Sequence, residues 1–486
     1  MQSPVNENLV REIVKEVLSR MGRPPSLAPD GDSKGPRRTA VARRFGVFED
    51  VDTACAAASE AFSKLKEAGV SARVKVVEIV KRLSSENAAA WAKLELEETR
   101  IGRLDHKIEK LKILALVPGV EFLHPDGRSG DHGITLEEYT PFGVIGAVTP
   151  STHSIPTLSG NIISMVAGGN AVVFNPHPAA ARCAVHAVRA YNEAIFHELG
   201  IDNLACVIES PTIEGFQALA RNPEVSLLAV TGGPGVVRAA MGSGKRAICA
   251  GPGNPPVLVD ETVDLDKAAR KIVQGASYDN NLLCIGEKEV FVLEEVANRL
   301  LEALERAGGH RLKPAELERL TRAAFTVAPG TGGGCARASL NRELLGQDAP
   351  VLGRAAGLSV RPGTEILFAE TEADHPFVEE EQMMPMLPVV RVRSVEEGIA
   401  AAARAEHGYK HTALIHSHDV SRMTAMARAL DTTLFVKNGP SMAGLGLGGE
   451  GYLSYTIATP TGEGVTNPKT FTRLRRCVMV DNLRIY

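Results

Sequence analysis

The chain has 486 residues, of which 44% are hydrophobic and 23% charged; this is ordinary globular usage and excludes a wholly disordered or fibrous protein. Against 58 Asp and Glu stand 54 Lys and Arg, a net charge of −4, too balanced for a protein that lives by gripping nucleic-acid backbones. No apolar run approaches the roughly 20 residues that cross a bilayer, and the length corresponds to about three structural units.

Leu9, Val10, Ile13, Val14, Val17, Leu18 and Met21 fall on one stripe of a helix, with charged residues opposite. Residues 1–22 are therefore expected to form an amphipathic helix. The charges within it leave no continuous apolar region of the kind a secretion signal needs. Residues 23–40 are rich in Pro, Gly and Ser and read as a mobile linker. A linker of this length suits a helix that docks on a partner rather than on its own body.

From about residue 50 the pattern is helical, through VDTACAAASEAFSKL and ARVKVVEIVKRLSSENAAAWAKLELEETR. After a Gly-, Pro- and His-rich stretch at 118–133, strands and helices alternate. PFGVIGAVTP, NAVVFNP, LACVIES and VSLLAVTGG read as strands; IPTLSGNIISMVAGG, AARCAVHAVRAYNEAIFHELG and IEGFQALARN read as helices. Short apolar strands alternating with helices predict an α/β protein with parallel sheets covered on both faces. A second series, from PPVLVD to TTLFVKN, predicts a second such domain.

Three turns join a strand to a helix: Thr149, Pro150 and Ser151 in VTPST, Asn175, Pro176 and His177 in FNPHP, and Thr231, Gly232 and Gly233 in VTGGPGVV. Such turns gather at the carboxyl ends of strands, where helix N-termini present free N–H groups to phosphates. No G-x-G-x-x-G with an acid about 20 residues on accompanies them. Of seven cysteines (55, 183, 206, 249, 284, 335 and 477) none forms a C-x-x-C pair, which suits a reducing compartment. Cys183 falls on a predicted helix and Cys206 in an apolar strand, where small buried thiols are common. Cys284 lies between YDNNLL and the strand EKEVFVL, beside Gly286, where a thiol can face a cleft. His407 and His411 have the spacing of a metal pair, but Gly408 and the strand that follows argue against a helix there, and no third ligand is evident. No metal is expected.

The series PFGVIGAVTP, AGGNAVVFNPHP, VTGGPGVV, GNPPVLVD, NNLLCIGEKEVFV, EQMMPMLPVV and AGLGLGGEG resembles the aldehyde dehydrogenase superfamily in order and spacing, over residues 45–486. NPHP, HGYKHTALIHS and NGPSMAGLGLGGEGYLSYTIATPTGEG resemble its coenzyme A-acylating branch, above all the propionaldehyde and acetaldehyde dehydrogenases of bacterial microcompartments. The resemblance implies an NAD- and CoA-binding domain over 41–249, with 126–140 contributing to an oligomerisation arm. It also implies a catalytic domain over 250–440 and a C-terminal segment completing the arm over 441–486. Cys284 aligns with the family nucleophile and Glu381 with the acid that holds the nicotinamide ribose. Gly251 and Gly253 fall in the stretch that hydrolytic relatives begin with a general-base Glu; here it reads Ala250-Gly251-Pro252-Gly253.

A thioester without a positioned base survives longer against water, because such a base supplies about 10²–10⁴-fold, so acyl transfer to a thiol is expected. Asn175 replaces a ribose-binding Lys, which favours NAD over NADP and a cleft that admits first the dinucleotide and then coenzyme A. The Cys284 N–H is one donor for the oxyanion; the family's second donor, an Asn, is replaced, leaving Thr152 or His153. His153 could instead deprotonate the incoming thiol.

The expected reaction is aldehyde + CoA + NAD⁺ → acyl-CoA + NADH + H⁺, with propionaldehyde preferred. Acetaldehyde or a semialdehyde, or a phosphorylating acyl-phosphate reductase, are the alternatives. The relatives further imply a homodimer or dimer of dimers in the bacterial cytoplasm. They place it inside a microcompartment, with residues 1–22 as an encapsulation peptide for shell or core proteins.

Overall fold

In the computed structural model, residues 44–327 and 338–483 are described. The helix and linker expected over 1–22 and 23–40, and Cys335, lie outside the described residues.

The apolar runs form two parallel sheets, as an α/β protein requires. The first has six strands in the order Val47–Phe48, Ala205–Ile208, Ala171–Phe174, Val144–Val148, Val225–Thr231, Ala247–Ala250. The chain builds outward from Val144–Val148 on one side, then returns to add Val225–Thr231 on the other. That reversal opens a crevice at the carboxyl ends of the central strands. The second sheet has seven strands: Gly309–Arg311, Ile366–Glu370, Met386–Val392, Glu289–Leu293, Pro256–Val259, Thr412–His416 and Leu434–Lys437. Glu289–Leu293 is its central strand and is buried along its whole length.

The helices read from periodicity are present, with one refinement. Val51–Glu86 is continuous in hydrogen bonding but broken at Gly69, whose φ of 78° takes the chain out of helical geometry. Asp50 caps its start by accepting from the Thr53 N–H at 2.8 Å. Ser154–Ala167 is buried at every position, so its near-continuous apolar sequence reflects a helix enclosed on all sides. A three-stranded antiparallel sheet of Asp126–Gly130, Gly133–Pro141 and Thr472–Val480 completes the chain. Its last strand leaves Leu474, Val478, Met479 and Val480 exposed.

Candidate active site

The turns after Phe174, Val148 and Thr231 leave adjacent strands of the first sheet, so they lie side by side. Together they floor a cleft of about 900 Å³, lined by Thr149, Pro150, Ser151, Thr152, His153, Asn175, Pro176, His177, Thr231, Gly232, Gly233 and Gly251. Leu282, Cys284, Glu381 and Met383 form the opposite wall, with Tyr455 and Ile457 from the C-terminal segment. Ligand pockets commonly have about this size. Pro234 opens the helix Pro234–Met241 at its first position, with Gly233 as N-cap.

Thr149 and Asn175 line this cleft, and their side-chain oxygens, Oγ1 and Oδ1, are buried without a protein partner. Asn175 spends its amide N–H on the Thr212 carbonyl at 3.1 Å, leaving its side-chain oxygen as an acceptor for a hydroxyl. Their place in the cleft makes these residues candidate contacts for the ribose edge of a nucleotide. Among the described residues no Lys or Arg lines the cleft, which fits a ribose hydroxyl better than an added phosphate.

Gly253 is the one expected binding residue that does not line the cleft. A methyl group there would stand 2.4 Å from the Cys284 carbonyl oxygen and 2.9 Å from the His411 ring. Its N–H faces the Glu381 carboxylate. Gly253 thus lets the Cys284 segment pack closely and donates its N–H to an acid that lines the cleft.

Cys284 is half-buried, whereas Cys55, Cys183, Cys206 and Cys249 are buried and Cys477 is exposed outside the cleft. Burial, then the nearby Glu381, pushes its thiol up to about 12, while Lys288 and the N–H groups of Cys284 and Ile285 pull the other way. Glu381 is pushed up to about 7 by burial, opposed by Lys288 and Gly253.

The segment that delivers Cys284 is unusual. Asp279, Asn280 and Asn281 have φ values of 49°, 55° and 64°, three successive left-handed residues. That conformation costs roughly 1–2 kcal/mol per residue, least for Asn and Asp. Side chains hold it in place. Asp279 accepts from Lys110 Nζ at 2.5 Å and the Arg103 N–H at 2.8 Å. Asn280 donates to the Gly346 carbonyl at 2.9 Å and Asp348 at 2.8 Å. Asn281 donates to the carbonyls of Ala276 at 2.9 Å and Glu287 at 2.8 Å. Lys110 and Asp279 are both fully buried, so loss of one partner would strand the other at about 3–5 kcal/mol.

His153 does not suit the role of base. It is buried, and burial followed by Lys110 depresses it to about 3. At neutral pH it is an uncharged, weakly basic ring whose Nδ1 pairs with Thr152 Oγ1 at 2.9 Å. A neutral hydrogen-bond donor remains open to it. His407 turns to the Glu379 carbonyl at 2.8 Å. His411 is buried with Nδ1 on Thr412 Oγ1 at 2.9 Å and Nε2 without a partner; the two histidines do not share a site. Sequence reading passed over Lys288 and Tyr455. Lys288 sits in an acid–base–acid run that looks solvated, and Tyr455 in a Gly-rich tail with no periodicity.

Residues 43–316 match the aldehyde dehydrogenase family. The chain is 44% identical over 483 residues to the acetylating acetaldehyde dehydrogenase of Salmonella typhimurium, covering 99% of this chain and 100% of that one. Its fold is similar to a Rhodopseudomonas palustris propionaldehyde dehydrogenase solved with bound CoA and an acylated cysteine (TM-score 0.86, 43% identity, 91% and 99% covered). It is equally similar to a propionaldehyde dehydrogenase from the fucose utilisation microcompartment of Clostridium phytofermentans (TM-score 0.87, 43% identity, 91% and 100% covered). The chain belongs to the aldehyde dehydrogenase family, on the branch of these acylating enzymes.

Proposed function

We propose that the protein is an NAD-linked, CoA-acylating aldehyde dehydrogenase that oxidises a short-chain aldehyde, propionaldehyde by preference, through a thioester on Cys284. The observation that carries this reading is the make-up of the cleft: among the described residues it holds one half-buried thiol, and Glu381 as the only acid. Cys284, once deprotonated, adds to the aldehyde carbonyl to give a thiohemiacetal. The Cys284 N–H, with Thr152 or His153, stabilises the oxyanion. NAD bound in the cleft supplies the hydride acceptor. Thr149 and Asn175 offer it oxygen partners, and Glu381 its ribose contact. Loss of hydride leaves a thioester on Cys284, and Ala250, where hydrolytic relatives carry a base, gives water no help. The thiol of coenzyme A, which ionises far more readily than water, then takes the acyl group. The dinucleotide and the adenosine end of coenzyme A use one cleft in turn, giving ping-pong kinetics.

Aldehyde and NAD⁺ without CoA are expected to give one equivalent of NADH per active site and then stop. Adding CoA restores continuous turnover; phosphate does not. Continuous NADH formation without either acceptor would sink the proposal in favour of hydrolysis, and continuous formation with phosphate alone in favour of a phosphorylating enzyme. A series of C2 to C6 aldehydes at saturating CoA fixes the chain length.

The three-stranded sheet with its exposed Leu474, Val478, Met479 and Val480 is read as the arm of a homodimer or dimer of dimers. Residues 1–22 are read as the docking segment for a microcompartment shell or core protein in the bacterial cytoplasm. Deleting residues 1–22 is expected to leave turnover intact and to abolish co-purification with shells. Loss of turnover in the truncated protein would count against a purely targeting role.

A further inference from the structure

The charged run Glu287-Lys288-Glu289 is wholly buried, each residue 0% exposed. It sits where the Cys284 segment enters the central strand of the second sheet. The Lys288 ammonium donates to the Asn281 carbonyl at 2.8 Å, to the Asn281 side-chain oxygen, and at 3.4 Å to the Leu283 carbonyl, the residue just before Cys284. These acceptors are neutral and belong to the segment that presents the thiol. The Lys288 backbone is itself fixed, its N–H on the Pro255 carbonyl at 3.1 Å and its carbonyl accepting from Gln382 at 3.2 Å. A buried cation without a close counter-ion is expensive, and it is held here against the last left-handed residue of the Cys284 turn.

We propose that Lys288 is a positioning residue for Cys284, pinning the carbonyls of Asn281 and Leu283, and the positive charge that favours the Cys284 thiolate. This rests on Cys284 being the nucleophile. The surrounding groups point the same way. Glu289 is driven well above the ordinary carboxylate value by burial. Glu287 and Glu381 are both pushed up to about 7 by burial. His411 is lowered to about 4 by burial and then by Lys288, and is therefore neutral. Burial lowers Lys288, while Glu381, Cys284, Glu289 and Glu287, in that order, oppose the fall. As the thiol ionises its negative charge stabilises the ammonium, and the ammonium stabilises the thiolate.

The test is the pH dependence of alkylation by iodoacetamide in the full-length protein. The thiol proton goes to solvent, the sulfur–carbon bond forms and iodide leaves. Lys288→Gln keeps a side-chain donor for the Asn281 carbonyl but removes the charge. Its alkylation at pH 8 is expected to fall about 10- to 100-fold, the midpoint of the profile moving upward by about one to two pH units. NAD binding should be retained and kcat should fall more than KM. Lys288→Arg should recover part of the rate. A folded Lys288→Gln protein whose profile superimposes on the parent's would overturn the proposal.

The unaltered protein gives a second measurement that holds even if the variants fail to fold. A buried partner is screened little by salt, so the parent's midpoint should hold between low and about 1 M salt. A midpoint that moves with salt assigns control to exposed charges and overturns the proposal. Peptide mapping against Cys284→Ala separates the two readings: if the titrating, fast-reacting thiol is not Cys284, it is the nucleophile assignment that fails.

Discussion

Cys284→Ala is expected to abolish the NADH burst from aldehyde and NAD⁺ and to lower CoA-dependent turnover by at least about 10³-fold. The size of the loss follows from the site. No other described cysteine lines the cleft: Cys55, Cys183, Cys206 and Cys249 are buried, and Cys477 is exposed on the strand Thr472–Val480. Cys55 and Cys249 are buried away from the cleft, so neither is a ready substitute nucleophile. Cys284 accepts no long-range side-chain bond on which the fold depends, and truncating its half-buried sulfur should change stability by about 1 kcal/mol. Dinucleotide binding, measured by fluorescence titration, should persist. Intact protein mass after exposure to aldehyde and NAD⁺ should show an acyl adduct on the parent and none on the variant. A burst retained by Cys284→Ala would place the thioester on another residue.

The sequence marks backbone devices more openly than it marks burial. Strand–helix alternation and the Pro and Gly residues of the three turns are local signals; the turns lie side by side because the first sheet makes their three strands neighbours. The second wall is different. Glu287, Lys288 and Glu289 look like a solvated run, yet all three are enclosed because Glu289–Leu293 takes the centre of a seven-stranded sheet. Strand order is a long-range property that no window of sequence contains. His153 fails as a base for a similar reason: its low basicity comes from burial and from Lys110, a residue on a helix 43 positions away in the chain. Gly253 falls in the stretch that departs from the hydrolytic relatives, and only the closeness of the Cys284 carbonyl and the His411 ring shows what its missing side chain is for. Asp279–Asn281 could have been suspected from composition, since Asp and Asn tolerate left-handed geometry. The ties that hold the turn come from residues as distant as Lys110 and Asp348.

Ala250 gives the sharpest test of why this cleft spares its thioester from water. It ends the strand Ala247–Ala250 and lines the cleft that also holds Cys284, with 4% of its surface exposed. Ala250→Glu would restore a carboxylate at the position of the hydrolytic base. Enclosure in an apolar wall should raise that carboxyl toward neutrality, which suits a general base at pH 7 to 8. With aldehyde and NAD⁺ but no CoA, the variant is expected to replace the single burst by continuous NADH formation. Free acid should appear at about 10²–10⁴ times the parent's rate. The burst itself should survive, because Cys284 and its donors are untouched, while the yield of acyl-CoA per NADH should fall as water competes. Burst amplitude and dinucleotide affinity report whether the larger side chain has displaced the turn at Gly251. If the variant keeps its burst and its affinity but gains no hydrolysis, the missing carboxylate is not what protects the thioester. Exclusion of water by the packed wall of Leu282, Met383, Tyr455 and Ile457 would then have to do so.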